Sequence, residues 1–314
     1  MTRTNNRFFT WPVFVALILA AAACQKQETA EEGNASSAVP SVKKERIITL
    51  GGPVTEVVYA LGAGDQVIAT DISSTWPAAV ASLKKIGYQR TLSAENIIAL
   101  QPTLILASAE AGPPAAIEQL RASGVRIEVI PSEHSLAGAK QKIDAVAKVL
   151  GLEEAAKYLR DTIDRYATAA DSLQRLAAAG SPAKILFIYA RGAGALQASG
   201  TGTAADAMLA ASGLRNVVTE YDGYKPLTPE AIVAANPQVV LMTTSGLQSI
   251  GGKEGLLKSV PALAQSDAGR AGRVVAMDDE LLLGFGPRSG QAILELRRKI
   301  DSAQAMQSPT AARL

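Results

Sequence analysis

A phenol and a guanidinium stand two residues apart in Ile86-Gly87-Tyr88-Gln89-Arg90-Thr91-Leu92, directly ahead of the helix-start signal Ser93-Ala94-Glu95. An ionised phenol is a hard anionic donor that suits a ferric ion. A free phenol ionises near pH 10, so at neutral pH it needs a neighbouring cation or a bound metal to hold its charge. The guanidinium of Arg90 can supply that charge, or can pair bidentately with a carboxylate. Only 4% of the chain is aromatic, so a tyrosine in a polar loop carries weight.

The elements around this stretch follow from punctuation and periodicity. Arg46 to Leu50 is β-rich and stops at Gly51-Gly52-Pro53, and a helix from Val54 to Leu61 ends at Gly62. Asp65 to Thr70 and Thr103 to Ser108 read as strands, with a helix between them that Ser93 caps and Pro102 closes. A Gly-Pro-Pro loop leads to a helix from Ala115 to Ser123 and a strand from Val125 to Ile130. Short apolar strands alternating with helices predict a parallel α/β sheet. From Leu136 to Ala179 the pattern is helical throughout. Leu136 to Leu150 ends at Gly151, and Glu153 to about Ala178 carries Ala156, Leu159, Ile163, Tyr166, Ala170, Leu173 and Leu176 at helical spacing. A helix of about 25 residues would be roughly 37 Å long, enough to act as a spine between two lobes. Strands at Lys184 to Tyr189, Gln238 to Thr243 and Arg273 to Met277, with helices at Ala204 to Ser212 and Ser289 to Ala305, predict a second α/β region.

The chain repeats itself once. Leu92-Ser93-Ala94-Glu95 to Pro102 and its following strand match Leu227-Thr228-Pro229-Glu230 to Pro237 and its strand, at a constant offset of 227 − 92 = 135. Hydroxyl cap, Glu, Ile, Ala, Pro and apolar strand all align, which predicts two related lobes. The loops before the matching helices, Lys85 to Thr91 and Glu220 to Pro226, are then expected to face each other across a cleft.

The N-terminus reads as an export signal: Arg3 and Arg7, an apolar run from Phe8 to Ala23, and then Cys24, the single cysteine. Cys24 directly after the apolar run, before a polar tail, predicts a lipid-modified first residue. Cleavage at a small-residue site to release a soluble protein is the other outcome. Residues 1–23 are thus a signal peptide and 24–44 a disordered tether, followed by lobes at 45–150 and 181–305 joined by a spine at 151–180. Without Arg3 and Arg7 the basic count is 31 − 2 = 29, against 29 acidic residues. A near-neutral chain without a basic block argues against a nucleic-acid partner.

Several segments carry a resemblance: Gly51-Gly52-Pro53-Val54-Thr55-Glu56, Gly87-Tyr88-Gln89-Arg90, Ala109-Glu110-Ala111-Gly112-Pro113-Pro114 and Phe285-Gly286-Pro287-Arg288. From about Arg46 to Ile300 the chain resembles the periplasmic haem-binding proteins of bacterial ABC importers, within the wider group that binds cobalamin and ferric siderophores. The resemblance implies two Rossmann-like lobes with central parallel sheets joined by a single long spine helix, the class III periplasmic-binding-protein arrangement. It implies haem b as transported ligand, Tyr88 on the iron and Arg90 beside the haem. It implies a monomer that meets an ABC permease dimer in the inner membrane through one carboxylate per lobe, which maps onto Glu56 and Asp206. Propionate partners are sought among Arg90, Arg191, Lys225 and Arg288, and Tyr224 is placed to stack on the porphyrin. Some members add a histidine from the loop after the first strand of the second lobe. Here that loop reads Tyr189-Ala190-Arg191-Gly192, and the single histidine, His134, lies in the first lobe. Tyr88 is therefore expected to ligate alone, with Arg191 or water on the other face.

Three other readings compete with this one. The same fold could carry cobalamin or a ferric chelate. A metal-ion binder would need several histidines or carboxylates in the cleft. An enzyme would need a recognisable centre, and the chain has no P-loop, no Gly-x-Ser-x-Gly and no zinc spacing.

Overall fold

The structure is a computed structural model, and it describes residues 44–192 and 196–305. The signal peptide, Cys24 and all of the tether but Lys44 fall outside those residues.

The first lobe starts with β1 (Ile47–Leu50), three β-branched residues and a leucine, all buried, followed by α1 (Gly52–Ala60) and β2 (Val67–Thr70). The short β3 (Lys84–Lys85) precedes the Tyr88 loop. Then come α2 (Ala94–Ile98), β4 (Leu104–Ser108), α3 (Pro114–Ala122) and β5 (Arg126–Ile130). Ser93 caps α2 through the Asn96 amide, as its position before Glu95 predicts. The strands form one parallel sheet in the order β3-β2-β1-β4-β5. The order reverses between β1 and β4, so the loops leaving those strands open the crevice where such sheets take ligands.

Two helices then carry the chain across: α4 (Leu136–Leu150), closed by Gly151 in the left-handed region at φ 68°, and α5 (Glu153–Ala179), of 27 residues. At 1.5 Å per residue α5 is about 40 Å long. It packs on α4 at one end and on the second lobe at the other. The approach is close: a Cβ at Gly290 would lie 2.2 Å from Tyr166 Cβ on α5, so only glycine fits there.

The second lobe holds β6 (Lys184–Tyr189), β7 (Gln197–Ser199), α6 (Ala204–Ala211), β8 (Arg215–Asn216), β9 (Tyr224–Pro226), α7 (Pro229–Ala235), β10 (Val239–Thr243), α8 (Thr244–Ser249), α9 (Gly252–Ser259), α10 (Asp267–Arg270), β11 (Val274–Met277), α11 (Asp279–Leu283) and α12 (Ser289–Ala305). Here β11, β10 and β6 run parallel, while β7 and β9 extend the sheet antiparallel. That antiparallel pair departs from an all-parallel expectation. Tyr224 to Pro226, expected in a loop, is an edge strand paired with β7. Each sheet is covered by apolar residues on both faces, giving two cores per lobe, and Leu136 at the start of α4 touches a core of each lobe. Among the described residues no helix is long and apolar enough to cross a membrane.

Candidate functional site

The Tyr88 loop is anchored at both ends by side chains that prefer the core, Ile86 and Leu92, each almost fully buried. Backbone bonds fix what lies between. Ile72 N donates to Gly87 O at 2.9 Å, Gly112 N to Gln89 O at 2.8 Å and Leu92 N to Gly112 O at 2.9 Å. Gly87 sits at φ +97°, a value that a residue with a side chain adopts only under strain. Tyr88 is left half-buried and Arg90 exposed.

Across from this loop stands the end of β6. The Arg191 guanidinium lies 4.2 Å from the Tyr88 ring centroid and 5.5 Å from that of Tyr189. Cation and ring thus meet across the two lobes. Burial works against the charge of Arg191, but the Tyr88 and Tyr189 side chains outweigh it and hold the guanidinium above its ordinary range. Tyr189 and Tyr224 pack at 5.5 Å with a tilt of 49°. Burial raises the phenol pKa of each. The wall facing Tyr88 is therefore one cation set among tyrosines.

Arg90 does not face Tyr88 as a free cation. Its Nη2 is taken by Glu110 Oε2. The other carboxylate oxygen accepts from Ser132 Oγ at 3.3 Å and faces His134 Nε2 at 3.5 Å. The contact with His134, aided by Arg90 and opposed by partial burial, holds the Glu110 carboxyl below its ordinary range. His134 also rests against Phe285 of the second lobe at 5.7 Å between ring centroids.

Three expected site residues are held by groups other than the ligand or partner foreseen for them. Arg288 was expected on a propionate, but its guanidinium grips Glu56 through two bonds of 2.9 and 3.1 Å and stacks over Trp76 at 4.5 Å. Glu56 was expected to dock a permease, yet it is 4% exposed and both its oxygens accept from Arg288. A buried carboxylate already holding a guanidinium is not free to reach a partner. Lys225 lies over the Tyr221 ring at 4.6 Å. Neighbours in a strand point to opposite faces, so Lys225 is turned away from the face on which Tyr224 meets Tyr189. Asp206 remains partly exposed at the start of α6, where it accepts from Asn216 Nδ2 at 3.0 Å and from Gly202 N at 3.2 Å.

Two residues were missed as site residues. Tyr189 reads from sequence as a core residue ending a strand, but it is half-buried under Arg191. Glu110 stands two residues after the buried run Leu104–Ser108, at the sheet's reversal point, and that position was its available signal.

A second polar set joins the lobes. Glu280 of α11 is 7% exposed, and its Oε2 accepts from Thr75 N, Thr75 Oγ1 and Trp76 N at 2.7, 2.9 and 3.1 Å. Its Oε1 is buried without a partner among the described residues. Burial, with the nearby Glu56 charge adding to it and the Thr75 and Trp76 donors opposing, pushes its pKa up to about 7. Lys142 of α4 is 2% exposed and donates to the carbonyls of Gly284 and Phe285 at 3.0 and 2.9 Å. Burial lowers its pKa to about 8.

Known proteins resemble this chain in fold and in sequence. The structure of a periplasmic heme-binding protein from Roseiflexus sp. RS-1 aligns with a TM-score of 0.79 and 42% identity, covering 83% of this chain and 99% of that one. An ABC transporter substrate-binding lipoprotein of Bacillus subtilis, itself uncharacterised, is 27% identical over 85% of this chain and 84% of its own. A vitamin B12-binding protein of Vibrio parahaemolyticus is 39% identical, but over only 26% of this chain and 30% of its own. The family model described as periplasmic binding protein matches residues 47–281, and the chain belongs to that family.

Proposed function

We propose that this protein captures haem between its lobes and hands it to an ABC importer, without catalysing a reaction. The observation that carries the reading is Tyr88, held half-buried on a pinned loop with the Arg191 guanidinium 4.2 Å from its ring. Tyr88 is the iron ligand in this reading, since a phenolate is a hard donor matched to ferric iron and needs a cation beside it. Tyr189 and Tyr224 offer apolar ring surface to the porphyrin. Arg191 and, on release from Glu110, Arg90 can meet propionates through paired hydrogen bonds. Similarity over nearly the whole of a heme-binding relative supports haem over cobalamin, for which the likeness spans a quarter of the chain.

Export is part of the proposal. Residues 1–23 serve as the signal, Cys24 carries the lipid and 24–44 tether a body built of lobes at 45–150 and 181–305 on the spine at 151–180. The importer's permease is the partner, and the protein meets it as a monomer. Purified protein titrated in parallel with hemin, cobalamin and a ferric chelate tests the ligand. A saturable, red-shifted Soret band at one equivalent or more of hemin is expected. Binding of cobalamin or the chelate without a hemin response would overturn the reading.

A further inference from the structure

Asp71 follows β2 directly and is fully buried. Its carboxylate is held by four donors rather than by a cation. Oδ1 accepts from Gly51 N at 2.9 Å and from Ser74 Oγ at 2.8 Å, and Oδ2 accepts from Ser73 N at 2.9 Å and from Ser73 Oγ at 2.5 Å. Four donors fill the lone-pair sites of a carboxylate, so the 71–74 turn has one arrangement. Ser74 Oγ also lies 2.8 Å from Thr55 Oγ1, which in turn meets Thr49 Oγ1 at 2.7 Å and Thr70 Oγ1 at 3.2 Å. A buried polar set satisfied in this way makes rigid what it joins.

That turn holds the approach to Tyr88. Thr70 O accepts from Ile86 N at 3.1 Å, Ser74 O accepts from Lys85 Nζ at 2.8 Å, and Ile72 N donates to Gly87 O at 2.9 Å. Gly87 has no side chain to anchor it and stands at φ +97°. Ile72 is 54% exposed, so packing does not fix it either. The bond from Ile72 to Gly87 is therefore only as firm as the turn that Asp71 ties.

We infer that Asp71 is a positioning residue for the iron ligand: by tying the 71–74 turn to the end of β1 it fixes Ile72, and through the bond from Ile72 to Gly87 it fixes where the Tyr88 oxygen stands. The inference rests on the haem reading above. A binding group has to be held within about 0.5 Å of its productive position, and groups that orient a metal ligand change metal affinity about 10–100-fold when they are removed. On its other side the Tyr88 loop is held by Gly112 N on Gln89 O. Without the turn, Gly87 is free to rotate and the phenol swings on that remaining hold. The ring stays in the cleft, but its oxygen no longer has one position. Gly51, bonded to the same carboxylate, ends β1 at the sheet's reversal point, so one buried group sets both the crevice floor and the ligand above it.

The test is a set of variants read with and without hemin. Asp71→Asn keeps the shape and turns one acceptor oxygen into a donor, so two of the four bonds are lost. In ligand-free protein, hydrogen exchange of the Ile72 amide should quicken about tenfold as its bond to Gly87 loosens, and the ring resonances of Tyr88 should shift. With hemin, affinity should fall about tenfold and the phenolate-to-iron charge-transfer absorption should shift. Val146→Ala is the control, because Val146 belongs to a different core from Ile86 and Leu92. It lowers stability without touching the turn and should leave all of these readouts at their wild-type values. Ser73→Ala deletes one bond and keeps the charge. It should move the readouts in the same direction by less, and it carries the test if Asp71→Asn does not fold. Unchanged exchange and absorption in the folded Asp71 or Ser73 variant, or equal shifts in Val146→Ala, would overturn the inference while leaving the haem reading in place. If the wild type takes up no hemin, the haem reading falls, and Ile72 exchange with the Tyr88 ring resonances alone decides whether Asp71 positions the loop.

Discussion

Glu56 with Arg288 and Tyr88 with Arg191 both join the first lobe to the second, yet their surroundings differ. The Glu56 and Arg288 side chains are 5% and 20% exposed, bonded through both carboxylate oxygens and backed by Trp76. Removing one partner there strands a charge away from water. The cleft set is wetter: Arg191 is exposed and Tyr88 half-buried, and beside them the side chains of Arg90 and its partner Glu110 are 54% and 28% exposed. Solvated pairs of this kind contribute little to stability and rearrange at small cost. The buried set therefore fixes how the lobes meet, and the exposed set is free to exchange its partners for those of a ligand. Charge alone does not tell a structural residue from a binding one in this fold, because both sets use arginine and carboxylate. Access to water does.

The comparison breaks first at Glu56. Glu56→Ala should lower unfolding stability by about 3–5 kcal/mol in urea, because it leaves Arg288 unpaired. A loss below about 1 kcal/mol would mean that the buried pair does no more than a surface one. Gly52→Ala should follow, at about 1–3 kcal/mol, because a Cβ there would stand 2.6 Å from Glu280 Cδ. A neutral outcome would show that α11 can shift without loosening the lobe contact.

The buried set should also respond to pH. Glu280 ionises at about 7 in the folded chain against 4.5 ordinarily, so between those values the folded chain holds a proton that the unfolded chain has lost. Stability should fall as pH rises through that window, and Glu280→Gln should remove the fall. Lys142 has the opposite sign. Its pKa of about 8 lies below the ordinary 10.5, so the unfolded chain holds the extra proton and stability should rise from about pH 8 upward. Urea midpoints measured from pH 5 to 10 check both, and a flat wild-type profile would contradict the buried assignment. Smallest of all, Arg90→Ala should change stability by no more than about 1 kcal/mol. A larger loss would move Arg90 into the structural set.

Much of this was legible in the chain. The lobes, the spine and the Tyr88 loop came from periodicity, caps and one repeat, because those signals are local and each obeys its own spacing. α12 and the bounds of α5 followed from the same rules. The edge strand Tyr224–Pro226 escaped because three residues cannot show alternation. The partners of Arg288, Lys225 and Arg90 escaped for another reason. Arg288 meets Glu56 across 232 positions, and no local pattern records which of several carboxylates a guanidinium will reach. Glu280 was silent for the same cause: its donors lie about 205 residues away. Sequence named the chemical types in the cleft, and only the fold assigned the pairs.

The measurement closest to the central claim is a hemin titration of Tyr88→Phe beside the wild type, followed by absorbance. Phenylalanine keeps the ring that Arg191 covers and deletes only the oxygen proposed to bind iron. The account predicts a wild-type charge-transfer absorption that vanishes in Tyr88→Phe, with affinity weakened about a hundredfold or more. An identical spectrum and affinity in the two proteins would contradict it.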